Sequence, residues 1–297
     1  MERPDDAHPD GATSDGPRPD GAGSAAAGTR VAVLGGGVMG EAIIAAVLAA
    51  GVDVDDLDVS EPSAARATEI SGRYGVRAAD GNATVVRRAD VVVVALKPKD
   101  VAGVLAEISP RLREGTLVVS VAAGLPTSFL EARLPEGTPV VRVMPNTPAV
   151  IGQGASAVSP GRNARAEHVA TVERLLAATG LVVTVPEKDQ DAVTAISGSG
   201  PAYVFYLIDA MAEAGVLLGL TRPLALELAT ATVRGAATLV EQSGEHPVVL
   251  RERVSSPGGT TVAALAALDA HGVRAGVLAA ATAARDRARE LAAELDG

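Results

Sequence analysis

Val91-Val92-Val93-Val94-Ala95-Leu96 has no polar side chain on either face that a strand would present. Successive strand residues point to opposite sides, so such a run needs apolar cover on both. A parallel sheet with helices on each face supplies that cover, and the chain from Arg30 to Pro186 keeps to the pattern. Val31–Leu34, Leu57–Ser60, Leu117–Val121 and Val140–Val143 read as strands, with Gly75–Arg77, Gly154–Ser159 and Leu181–Val185 as further ones. Helical stretches separate them: Glu41–Ala50 closed by Gly51, Pro62–Arg73, Asn82–Arg88 and Ala164–Ala178. Proline at a helix start and glycine just past an end are the expected punctuation. The alternation predicts an α/β fold with a doubly wound sheet.

In such a sheet a ligand lies beyond the C-terminal strand ends. Four loops fall there: Gly35–Gly40, Ser60-Glu61, Leu96-Lys97-Pro98 and Val121-Ala122-Ala123-Gly124. The first is a G-x-G-x-x-G turn placed directly between a strand and a helix. Gly35 permits the tight turn, Gly37 lets a pyrophosphate approach the backbone, and Gly40 lets helix and strand pack closely. Dinucleotide binding is the expectation. About twenty residues beyond Gly40, where an acid would grip the ribose of NAD, stand Ser60 and Glu61. Ser60 could donate to the 2′-phosphate of NADPH, with Arg66 reaching in from the next helix. Glu61 could instead accept from the ribose diol of NADH and repel a phosphate. Glu61-Pro62 also reads as an ordinary acidic first turn.

After Val185-Pro186 only helices are expected: 189–196, 202–218 closed by Gly219, one capped by Thr221 and running to about Glu241, then 248–253, 262–268 and 273–295. Ser197-Gly198-Ser199-Gly200-Pro201 reads as a break after the first. Aromatic residues make up 2% of the 297-residue chain, so packing must rest on Ala, Val and Leu. Broad faces of these helices carry few charges, which predicts burial against a second copy, a compact self-contained bundle being the alternative.

Between the fourth and fifth of these helices lies Ser255-Ser256-Pro257-Gly258-Gly259-Thr260-Thr261. Pro and Gly hold the backbone open at a helix N-terminus, where free N–H groups and the dipole favour an anion. Ser256, Thr260 and Thr261 add hydroxyls that can donate to a carboxylate or meet a ring nitrogen. Taken alone, the same residues would serve as a helix cap.

A net charge of −10 with no basic run argues against nucleic acid as a partner. Without cysteine there are no disulfides, thiol nucleophiles or zinc thiolates, and no metal site is expected. Residues 1–28 are rich in Pro, Gly and acids and hold almost nothing large and apolar, so a disordered tail is expected there. They lack the apolar stretch of a signal peptide, and runs such as Ala42–Ala50 are too short to span a bilayer. A soluble cytoplasmic protein, with no membrane partner, is the expectation.

The motifs form an ordered set: VAVLGGGVMGEAII, ALKP at Ala95–Pro98, SVAAG at Ser120–Gly124, VRVMPNTP at Val141–Pro148, AISGSGPAY at Ala195–Tyr203, GEHP at Gly244–Pro247, and SSPGGTT. From about Thr29 onward the chain closely resembles the pyrroline-5-carboxylate reductases, which make proline in the last step of its biosynthesis. The resemblance implies an N-terminal Rossmann-type domain over 29–186 and an all-helical dimerisation and substrate domain over 187–297. It implies a homodimer that assembles further into a decamer. It places cofactor contacts on Gly35, Gly37, Val38, Met39, Gly40, Ser60, Asn82, Ala95, Leu96, Lys97, Pro98, Val121, Ala122 and Ala123. Substrate contacts fall on Ser256, Gly259, Thr260 and Thr261, with Asn146 nearby. Each active site would join one subunit's nucleotide domain to its partner's SSPGGTT loop. NADPH is the implied cofactor, with NADH possible, because Ser-Glu-Pro stands here where relatives carry Asn-Arg after the second strand. Gly244 occupies a position where some relatives have Glu, so no acidic role is carried over.

The implied substrate is a cyclic imine bearing a carboxylate. If it binds protonated, no general acid is obligatory, and the protein's task is positioning and charge complementarity. Thr261 would hold the ring nitrogen while Gly258–Thr261, with the Ser256 and Thr260 hydroxyls, holds the carboxylate. The four histidines fit that view: His8 lies in the tail, His168 and His271 on helix surfaces, and His246 in a turn. β-Hydroxyacid dehydrogenases use a lysine in the helical domain as acid/base. Here Lys188 is the one lysine after Pro186, and it sits at the junction. A nucleotide sensor without turnover would have no use for the intact hydroxyls of the loop.

Overall fold

The valine-rich runs form the middle of one eight-stranded sheet in the computed structural model, which describes Ala26 and residues 28–296. Its strands are β1 (Val31–Leu34), β2 (Leu57–Ser60), β3 (Arg77–Ala79), β4 (Val91–Val94), β5 (Leu117–Ser120), β6 (Val140–Met144), β7 (Gly154–Pro160) and β8 (Gly180–Thr184). They lie in the order β3-β2-β1-β4-β5-β6-β7-β8. All neighbours run parallel except β6 and β7, which are antiparallel. Chain order reverses between β1 and β4, the crevice where open α/β sheets take ligands. The tail expected over residues 1–28 falls, apart from Ala26 and Gly28, outside the described residues.

Six helices belong to this half: α1 (Val38–Ala49), α2 (Ala64–Tyr74), α3 (Asn82–Val85), α4 (Pro98–Ile108), α5 (Thr127–Glu131) and α6 (Ala166–Leu176). The period-two alternation of the strands divides the core between two faces. Val31, Val33, Val91, Val93 and Val119 meet Ile43, Ile44 and Val47 of α1, Ile70 of α2, and Leu175 of α6. Ala32, Leu34, Val92, Val94 and Val118 meet Val101, Leu105 and Ile108 of α4, with Phe129 and Leu130 of α5. Every residue of β1, β4 and β5 is buried, as the apolar runs required. β3 begins two residues later than its sequence suggested, since Ala78 and Ala79 take the register opposite Val59 and Ser60.

The remaining helices are α7 (Gln190–Val193), α8 (Gly200–Leu217), α9 (Arg222–Ser243), α10 (Pro247–Arg253), α11 (Thr260–Ala270) and α12 (Val273–Asp296). The expected break at Ser197–Pro201 is not one. Thr194–Gly198 forms a π-helical turn in which the Ser199 N–H donates to the Thr194 carbonyl at 2.8 Å. Pro201 then sits in the first turn of α8, where its missing N–H has no helical partner to lose. Glycine and serine therefore widen one turn here and leave the helical path unbroken. α11 starts at Thr260, two residues ahead of expectation, with Gly259 at its N-cap. Thr221 stands at the N-cap of α9, yet its side chain makes no capping bond.

α8 packs on α9 through Ala212, Ala225 and Ala229, whose small side chains let the backbones approach. α12 returns to lie on α7 and the π turn. Otherwise α9 buries no residue of its own, and α10 and α11 bury none. Among the described residues no single helix is long and apolar enough to cross a membrane.

Candidate active site

Strand register brings the predicted loops to one edge. Leu34 pairs with Ser60 and Val94, and Val94 with Ser120, so the residues that follow emerge side by side. Backbone bonds fix their exits: Gly35 N–H to the Ser60 carbonyl at 2.8 Å, Ala95 N–H to Leu34 at 2.8 Å, and Val121 N–H to Val94 at 3.0 Å. Gly35 has φ of 100°, closed to residues with a side chain, and a Cβ there would lie 2.5 Å from the Ala95 carbonyl oxygen. A Cβ on Gly40 would lie 1.9 Å from the Gly35 oxygen. Gly37, the N-cap of α1, has open space where a Cβ would point, and no side chain caps the helix. The first-turn N–H groups are thus left without a side-chain cap beside an open glycine, and this cradle fits a dinucleotide. Val38 is exposed and Met39 half-buried at its rim; Leu96 and Pro98 are half-buried, Lys97 and Ala123 exposed, and Val121 and Ala122 buried.

At the end of β2 the geometry departs from one expectation. Ser60 is 1% exposed, so its hydroxyl lies beneath the ledge. Glu61 occupies the surface. Its Oε2 accepts from the Gly36 N–H and its Oε1 from the Ser63 N–H, each at 2.9 Å. Arg66 donates through Nε to the Gly36 carbonyl at 2.7 Å and pairs with Glu69 at 2.7 Å and with Glu41. Glu41 also takes Arg73 and the Tyr74 hydroxyl, the latter at 3.0 Å. The Arg66 hydrogen bond holds the Glu41 carboxyl below the usual range. Glu41 in turn raises Arg66 above an ordinary arginine, while burial and the bond to Glu41 raise Tyr74. The sequence offered Arg66 as a cation reaching in towards a 2′-phosphate. It is a neutralised one.

Two other expected contacts are engaged elsewhere. The Asn82 amide donates to Glu107 at 2.9 Å. Asn146 donates through Nδ2 to the Ser197 carbonyl at 3.1 Å and accepts at Oδ1 from the Ala155 N–H at 2.9 Å. With both polar ends on backbone, Asn146 pins the loop after β6 to the π turn, and it is a positioning residue in this structure.

The SSPGGTT loop forms the expected helix entry. Gly258 has φ of 68°, Gly259 is extended, and the Gly259 N–H donates to the Ser256 carbonyl at 2.9 Å. No side chain caps α11. Ser256 and Thr260 are exposed and Thr261 is half-buried on the first turn. His246 is the N-cap of α10, its Nδ1 accepting from the Val248 N–H at 3.2 Å, a structural role in line with the turn expected there.

Sequence reading missed the group that joins the two halves. Glu187 accepts from the N–H and the hydroxyl of Thr127, both at 2.7 Å, and pairs with buried Arg142 at 3.4 Å. Thr127 follows the SVAAG loop closely, so Glu187 fixes that part of the ledge to the helical half. Arg142 inside an otherwise apolar strand was the available signal, since a buried charge demands a partner. The Glu41 cluster was also missed; Arg66 and Arg73, seven residues apart on one helix face, pointed to it.

Comparisons with known proteins cover both halves. Residues 187–291 match the family model described as pyrroline-5-carboxylate reductase dimerisation, and residues 30–124 match one described as NADP oxidoreductase, coenzyme F420-dependent. The chain is 45% identical over 239 residues to the pyrroline-5-carboxylate reductase of Corynebacterium melassecola, covering 80% of this chain and 88% of that one. A solved pyrroline-5-carboxylate reductase from Coxiella burnetii superposes with a TM-score of 0.83 at 35% identity, over 89% of this chain and 98% of the other. The Plasmodium falciparum pyrroline carboxylate reductase, solved with NADP bound, gives a TM-score of 0.81 at 30% identity over the same shares.

Proposed function

Because the chain belongs to the pyrroline-5-carboxylate reductases, we propose that its active site joins the dinucleotide ledge of one subunit to the Ser255–Thr261 loop of a second. The enzyme reduces 1-pyrroline-5-carboxylate to L-proline with NAD(P)H, and its helical half serves oligomerisation. The observation that carries the shared site is the exposure of α9 to α11. They present Leu226, Leu228, Val249, Val262 and Leu268 to solvent, and the substrate loop lies among them. An apolar surface of that extent marks a contact with another chain. A dimer built on these helices, extended to a decamer as the family resemblance suggests, covers it.

In this arrangement Gly35–Gly40 seats the pyrophosphate at the α1 N-terminus, and Ala95–Pro98 with Val121–Ala123 borders the nicotinamide. When bound, the reduced nicotinamide supplies the hydride for the imine carbon. The first turn of α11 holds the substrate carboxylate through the N–H groups of Thr260 and Thr261, with the Ser256 and Thr260 hydroxyls beside them. Thr261 holds the ring nitrogen, which decides the carbon facing the nicotinamide. Thr261→Ala is expected to lower kcat/KM for the imine about ten- to a hundred-fold, the range for one positioning hydrogen bond. Nucleotide binding, read by nicotinamide fluorescence, should barely change. Unaltered kinetics would remove Thr261 from the site.

Mixing two impaired variants tests the shared site. Gly40→Ala disables the ledge and Thr261→Ala the loop. Random re-association makes about half of the dimers mixed, each with one site built from two intact parts, so activity should recover to about a quarter of the unmodified level. No recovery on verified subunit exchange would place the whole site within one chain.

A further inference from the structure

We infer that this enzyme uses NADH in preference to NADPH, with Glu61 as the residue that sets the choice. The inference rests on the ledge proposed above and concerns only the ribose end of the nucleotide. β2 ends beside β1 with Ser60 opposite Leu34, so the residue after Ser60 meets whatever occupies the turn. That residue is Glu61, and its carboxylate is held in place by Gly36 on one side and Ser63 on the other, each at 2.9 Å. A carboxylate bound in this way accepts from both hydroxyls of an unmodified ribose. A 2′-phosphate, carrying between one and two negative charges and only acceptor oxygens, has no donor to meet there.

The groups around Glu61 strengthen that selection. A phosphate seated at the α2 N-terminus would compete with groups already bonded there. Glu61 takes the Ser63 N–H, and the Ser63 hydroxyl accepts from the Arg66 N–H at 3.4 Å. A guanidinium could otherwise neutralise the phosphate, but Arg66 is shared between Glu41, Glu69 and the Gly36 carbonyl, and Arg73 between Glu41 and Glu69. Asp80 borders the groove of about 650 Å³ that runs from Glu61 along α2. Four carboxylates (Glu41, Glu61, Glu69, Asp80) thus face two guanidiniums, and a doubly charged phosphate would enter a region already negative. Rotating Arg66 outward to meet it would break two ion pairs and leave Glu41 to Arg73 alone.

Initial rates with NADH and NADPH on the full-length enzyme provide the test, with saturating pyrroline-5-carboxylate. A kcat/KM at least tenfold higher for NADH is expected, equivalent to about 1.4 kcal/mol at the 2′ position. In Glu61→Gln the NADPH value should rise about tenfold and the NADH value fall a few-fold, with both changes in KM for the nucleotide and kcat little altered. Equal rates, or a preference for NADPH, would overturn the inference while leaving the activity intact. A preference for NADH that Glu61→Gln does not move would overturn the assignment to Glu61. Should neither nucleotide be oxidised, the reading of the active site fails. Titration of nicotinamide fluorescence would then decide the preference by itself, and tighter NADPH binding would end the inference. Should the variant not fold, the ratio in the unmodified enzyme still decides.

Discussion

Gly40→Ala is expected to abolish binding of both nicotinamide nucleotides while the helical half stays folded. The added methyl carbon would lie 1.9 Å from the Gly35 carbonyl oxygen and 3.5 Å from the Ala95 side chain. The first contact is far inside any van der Waals separation and falls on backbone, so no side-chain rotation relieves it. Nor can the turn retreat towards the sheet. Gly35 already lies against the Ala95 carbonyl, and its N–H is bonded to Ser60. Either α1 tilts off β1 or the turn opens, and both displace the N–H groups at the start of α1. Overpacking of this kind typically costs about 1–3 kcal/mol in stability. A displacement of about 1 Å can weaken a positioned interaction a hundred-fold. We expect Kd for NADH to rise at least about a hundred-fold and Tm to fall by several degrees. Gly37→Ala is the informative contrast. Its methyl group would enter open space with an extended backbone, so Tm should hold while nucleotide binding weakens. Normal NADH binding by Gly40→Ala would show that this turn is no cradle.

The contrast between those two glycines also shows what the sequence can carry. The spacing of Gly35, Gly37 and Gly40 behind an apolar strand states a local geometry, because each glycine answers to atoms within a few residues or on the adjacent strand. Val91–Val94 is legible for a similar reason: full burial of a strand leaves one composition and few arrangements. Legibility stops where a side chain chooses between partners distant in sequence. Arg66 and Arg73 on one helix face call for an acid, but nothing near them reveals that it is Glu41, twenty-five residues before Arg66. Nothing near Asn146 reveals that Ser197 and Ala155 will take both its polar ends. The Ser197–Pro201 stretch misled because glycine and proline are read as breakers. A π turn joined to a helix start uses the same residues for a different end, the missing N–H of Pro201 being harmless at that position. The placement of the SSPGGTT loop opposite a nicotinamide came only from the family resemblance and is out of reach of single-chain geometry, since the partner that would bring it there is a second copy.

Phe205→Asp is expected to split the oligomer and, with it, the activity. The chain has two phenylalanines. Phe129 on α5 is buried with the Arg133 guanidinium 3.5 Å from its ring centre, whereas Phe205 on α8 is 62% exposed and its neighbour Tyr206 is 80% exposed. Adjacent exposed aromatics, in a chain where such residues are 2% of the total, belong to a contact surface. Truncating a central aromatic in an interface commonly costs 2 kcal/mol or more, and a buried carboxylate without a partner adds to that. In a two-fold interface the change occurs twice, so dimerisation should weaken by about 4 kcal/mol, roughly a thousand-fold in Kd. Sedimentation velocity at low micromolar concentration should then show monomer. If the substrate loop serves the partner's ledge, monomer retains nicotinamide-nucleotide binding and loses at least about 99% of kcat/KM for the imine. An enzyme that is monomeric and fully active would return the whole site to one chain. A variant that stays oligomeric would remove Phe205 from the interface and point instead to the exposed apolar residues of α9 and α11.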